Sequence, residues 1–101
     1  MKAWTVALAI AGAASASPAQ AQDPDAARAL AATCATCHGT EGRSVVNGPP
    51  SLAGQNRQAL LQALQDFRDG KRPATIMHQL AKGYTEAQFE LLADYYAAIK
   101  P

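Results

Sequence analysis

The chain has no internal repeat, no run of alternating apolar and polar residues that reads as a strand, and no second pair of cysteines. Those absences leave one domain able to hold one cysteine-linked group, and give sheet architectures no support. Nor is there an excess of one charge, since nine Lys and Arg stand against eight Asp and Glu in 101 residues. The basic stripe that nucleic acid demands is missing, and long-range steering by a large single-sign field is weak. Methionine is scarce, with only Met1 and Met77. The longest apolar run, over residues 3–14, is too short to span a bilayer comfortably.

That run follows Lys2 and leads to Ala19-Gln20-Ala21, which has the A-x-A form of a signal-peptidase site. Residues 1–21 are therefore expected to be a cleaved leader, with Ala14-Ser15-Ala16 as a weaker site, and the protein is expected to be periplasmic with no stable membrane insertion after cleavage. The domain expected after cleavage, residues 22–101, has 80 residues and eight groups of each charge. An ordinary apolar core is marginal at that size, and a buried cofactor would supply what is missing.

Three helices are expected. The first follows Asp23 as N-cap with Pro24 at its first position, and carries Ala27, Leu30, Ala31 and Cys34 on one face. The second covers residues 56–67, with Leu60, Leu61, Leu64 and Phe67 as its stripe and Gly70 as terminator, while Arg57, Asp66 and Arg68 read as a solvated face. The third starts at Thr85, where Gln88 three residues on completes a capping box, and its stripe is Phe89, Leu92, Ala93, Tyr96 and Ile99. Small residues on the first helix allow a bulky face such as Tyr96 to approach closely, so the terminal helices are expected to cross. Residues 39–55 show neither helical nor strand period and contain Pro49-Pro50, a stiff pair suited to a loop wrapping a cofactor and burying Leu52 against it.

The chemistry is concentrated in Cys34-Ala35-Thr36-Cys37-His38. Two thiols so spaced add to the vinyl groups of a porphyrin, and the imidazole that follows is held under the iron. A zinc site would have to turn the adjacent Cys37 and His38 onto one metal, and a thioredoxin-type pair would need strands around it. Neither context is present in the sequence. If His38 is the proximal ligand, Met77 is the thioether available for the opposite face, and His78 is its rival. Neighbouring residues cannot both face the iron, so His78 is expected to be partly exposed and locally hydrogen-bonded. A His38 and Met77 pair leaves no open coordination position, which suits one-electron transfer and requires no catalytic residue.

With these residues the chain resembles the class I cytochrome c family, on Cys34-Ala35-Thr36-Cys37-His38, Gly48-Pro49-Pro50-Ser51-Leu52, Met77 and the final aromatic-bearing helix. The resemblance implies a small all-α fold around one covalent haem c. It also implies a carbonyl acceptor for the other ring nitrogen of His38, at Pro50 or, given the doubled proline, at Pro49. A finer likeness lies in His38-Gly39-Thr40-Glu41-Gly42-Arg43-Ser44, in Pro50-Ser51-Leu52-Ala53-Gly54-Gln55, and in residues 67–83 with Thr75-Ile76-Met77. These look like the cytochrome subunit of flavocytochrome c sulfide dehydrogenase and, more loosely, the cytochrome c4 and c553-like carriers. That likeness implies an electron-accepting subunit on a flavoprotein. The alternatives are a diffusing shuttle to a terminal oxidase or photosynthetic reaction centre and, from another class, a haem enzyme or gas sensor. Ala35, Val45 and Val46 are candidates for a docking rim, and Arg57, Lys71 and Arg72 for binding haem propionates.

Overall fold

The computed structural model describes Met1, Gly12 and residues 24–101. The expected leader, its cleavage site and the Asp23 cap lie outside those residues. The described part is all-helical: α1 (Pro24–His38), a single 3-10 turn (Thr40–Gly42), α2 (Arg57–Arg68), α3 (Met77–Ala81) and α4 (Glu86–Ala98), with no strand among the described residues.

Local signals set most of these boundaries. Proline at the first position of α1 has no N–H to leave unpaired. Asn56 caps α2 by accepting from the Ala59 N–H at 3.1 Å, and α2 ends before Gly70, whose φ of 72° suits glycine. Thr85 and Gln88 form the expected capping box at the start of α4. The 3-10 turn is an addition to the irregular stretch expected over residues 39–55. It contains Glu41 at φ 54°, paired with Arg43 at 2.5 Å.

The core lies between α1, α2 and α4. Ala31, Leu60, Leu92, Ala93 and Tyr96 form its buried cluster, and Leu30, Cys34, Leu52, Leu61, Leu64 and Ile99 pack on it partly buried. The expected contact of the terminal helices centres on Tyr96, whose hydroxyl donates to the Ala31 carbonyl at 2.9 Å. Of the nine buried apolar residues among those described, five are alanines. So few large side chains bury little apolar area for a domain this size.

Two cations read as part of a solvated face instead join helices. Arg57 pairs with Asp94, linking α2 to α4. Arg68 bonds Glu86 at 2.5 Å and Asp69 at 2.9 Å, and its guanidinium lies 5.3 Å over the Phe89 ring. Hydrogen bonding from Arg68 holds both carboxyl groups below their usual range. Carboxylates with lowered folded values add stability above the unfolded range near about pH 4, and lose it as the pH falls through those lowered values. The stability gap between wild type and Arg68→Gln is therefore expected to be widest at neutral pH and to shrink on acidification. It is a small gap, because the groups are exposed; urea titrations across the acid range measure it.

Candidate haem site

The site is built on the last turn of α1 and the loop that follows. Cys34 and Cys37 lie one helical turn apart, which brings them to one side of α1, and both thiols are free. Cys34 is half-buried on the core cluster, and burial pushes its thiol up, while the hydroxyls of Tyr96 and Thr33 pull the other way. Cys37 is exposed. Burial also pushes the Tyr96 phenol well above its ordinary value, and the adjacent Cys34 adds to this.

His38 closes α1 and is buried. Its Nδ1 lies 2.6 Å from the Pro50 carbonyl oxygen. A carbonyl can only accept, so Nδ1 carries the proton and Nε2 keeps its lone pair for a metal. Of the two prolines, Pro50 is thus the one that meets the ring. The loop presents that carbonyl because it is pinned on both sides. Leu52 and Ala53 donate to the Gly42 carbonyl at 2.8 and 3.2 Å, and the Ser44 N–H donates to the Ser51 hydroxyl at 2.9 Å. The Gly54 N–H bonds the Tyr96 carbonyl at 2.9 Å, and Arg43 donates to the Lys100 carbonyl at 2.9 and 3.2 Å, tying the loop to the end of the chain. Gly42 sits at φ 74° with the Tyr96 ring against it, so close that a Cβ there would lie 2.7 Å from two ring carbons.

Met77 is half-buried at the first position of α3, which packs on α2 rather than on the cysteine-bearing helix. The structure therefore brings His38 and Pro50 together, sets Leu52 against the core, and leaves Met77 on a separate element. His78 is partly exposed as expected, but the expected local hydrogen bond is corrected: its Nδ1 is buried without a partner among the described residues. Two of the suggested propionate partners are engaged elsewhere: Arg57 with Asp94, and Arg72 over the Phe67 ring at 4.9 Å. Val45 and Val46 are exposed at 76% and 89%, as a docking rim requires, and Ala35 is half-buried.

This donor set fits a haem: two unpaired thiols on one helix side, an imidazole with its tautomer fixed, and a core short of large side chains while Ile76 and Leu80 lie exposed beside Met77. Among the described residues, no group of three His, Cys, Asp or Glu is placed to hold a zinc-type ion. The family model for cytochrome c matches residues 24–98, and so takes in α1, the loop and α4. The chain belongs to the cytochrome c family. Cys34 and Cys37 fit the covalent haem c that this family carries.

Among individual relatives, the chain is 42% identical over 67 residues to the cytochrome subunit of sulfide dehydrogenase from Chlorobaculum tepidum, covering 66% of this chain and 60% of that one. It is 38% identical over 80 residues to cytochrome c4 of Pseudomonas aeruginosa, covering 79% and 40%. The solved cytochrome c4 of Acidithiobacillus ferrooxidans superposes with a TM-score of 0.62 at 38% identity, over 65% of this chain and 38% of that one. This chain thus spans between about two fifths and three fifths of the length of these proteins. Sequence reasoning found the attachment motif and the ligand candidates. It missed Gly42, Arg43 and Tyr96 as supports of the His38 loop, since only the proximity of Tyr96 to α1 was signalled, by the small residues there.

Proposed function

We propose that this chain is a periplasmic, electron-accepting monohaem subunit that docks on a flavoprotein of the sulfide dehydrogenase type. Residues 1–21 act as the export leader, and residues 22–101 form the haem domain. A haem held by these residues would supply one-electron chemistry between ferric and ferrous iron. Cys34 and Cys37 bind it through thioether links. His38 and Met77 would bind its iron, Leu52 would line its apolar side, and Pro50 orients His38 by holding the Nδ1 proton.

The observation that carries the electron-transfer reading is the His38 to Pro50 bond at 2.6 Å, which fixes the ring with Nε2 available. A locked imidazole opposite a thioether needs little rearrangement between the two iron states. The partner reading rests on the 42% identity to a sulfide dehydrogenase cytochrome subunit. The exposed Val45 and Val46 offer an apolar contact near the attachment helix, and near-balanced charge favours docking of this kind over electrostatic capture.

A diffusing carrier is the second reading, favoured by the 38% identity to a cytochrome c4. Affinity purification from the native periplasm under mild conditions separates the two. Co-elution of a flavoprotein in equal amount, with sulfide reducing the haem, is the expected result; a lone cytochrome that sulfide does not reduce would assign the diffusing role.

A further inference from the structure

One buried side-chain polar atom among the described residues lacks a hydrogen-bond partner, and it is Nδ1 of His78. An unsatisfied buried group of this kind is destabilising, and it stands one residue from the thioether of Met77. The contrast with His38 is direct. There a carbonyl 2.6 Å away holds the ring in one orientation, whereas no bond holds the ring of His78.

We infer that His78 is a latent axial ligand, an imidazole that occupies the position of Met77 on the iron whenever the thioether is absent or displaced. The inference rests on the reading of Met77 as the resident ligand. Successive helical residues point about 100° apart, so the two side chains can serve only in turn. A slide of α3 by one residue, about 1.5 Å along its axis with that rotation, would put His78 where Met77 stands.

Little at the start of α3 resists such a slide. It has five residues, its N-cap Ile76 provides no side-chain cap, and residues 71–76 before it are all exposed and carry no helix. The Gln79 and Leu80 N–H groups both bond the Ile76 carbonyl, at 2.9 and 3.1 Å, so the start of the helix hangs on one acceptor. Ala81, fully buried at the other end, is the contact that opposes the slide. In the exchange the imidazole lone pair replaces the sulfur lone pair; no electron or proton changes hands at the iron.

The chain contains only two histidines, so a second imidazole on the iron can be supplied only by His78. The test uses holoprotein made in a host that attaches haem c, with electron paramagnetic resonance and near-infrared magnetic circular dichroism of the ferric form. Met77→Ala is expected to stay low-spin with a bis-imidazole signature and to bind carbon monoxide slowly when reduced. Met77→Ala combined with His78→Phe is expected to lose that signature and bind carbon monoxide at once. A high-spin Met77→Ala protein overturns the inference, as does a low-spin signature that survives in the double variant. Should the double variant fail to load haem, histidine labelled with nitrogen-15 in Met77→Ala still decides, since hyperfine coupling to one imidazole rather than two overturns it. A wild-type spectrum without the thioether charge-transfer band would instead remove the assignment of Met77 itself, a separate and recognisable failure.

Discussion

Exchanging Cys34 and Cys37 together for alanine is expected to abolish covalently retained haem, leaving protein from which acidified organic solvent extracts all the porphyrin. Mass spectrometry of the denatured chain reads the result directly, as does in-gel haem staining. The reason is the placement of both thiols on the last turns of α1, directly before His38, so that the tether and the imidazole share one rigid element. Either single exchange keeps one link and is expected to retain part of the stain. Because five of the nine buried apolar residues are alanines, the double variant should also melt at a markedly lower temperature. A double variant that keeps haem through denaturation would refute the attachment site.

Gly42→Ala is expected to lower the unfolding free energy by about 2–5 kcal/mol. A side chain at φ 74° costs about 1–2 kcal/mol, and forcing a methyl group against the Tyr96 ring adds about 1–3 kcal/mol more. Single domains hold only about 5–15 kcal/mol in all, so this one methyl group threatens the fold. Gly70→Ala separates the two causes. Its φ is 72°, but nothing lies within 4 Å of the added atom, so it should show only the conformational part. Chemical denaturation of the two variants side by side measures the difference, and equal losses would mean that the ring contact contributes nothing.

The parts of the fold that were legible in the sequence are those specified within a few residues. The Thr85 and Gln88 box and the stop before Gly70 each depend on neighbours a few positions away, whereas Asn56, expected as the first helical residue, proves to be the cap of α2. The attachment motif is likewise contained in five residues. What stayed hidden joins residues far apart. The Tyr96 hydroxyl meets the Ala31 carbonyl across 65 positions, Arg43 meets Lys100 across 57, and Arg57 meets Asp94 across 37. No local pattern marks the ends of such pairs, so Arg57 and Arg68 looked like surface charge. Pro50 was legible only through family resemblance, and the doubled proline left its neighbour open until the loop bonds at Gly42 and Ser51 were seen to aim one carbonyl at the ring. His78 ran against expectation because satisfying a ring nitrogen depends on which acceptors the tertiary structure brings near it.

The bonds from Arg43 to the Lys100 carbonyl and from Gly54 to the Tyr96 carbonyl carry one more consequence. The strap that steadies the His38 imidazole is buttressed by the residues that follow α4, with Pro101 lying against Gly54. Deleting Lys100 and Pro101 would loosen the grip on the ring from a distance, leaving every atom of His38 and Pro50 unchanged.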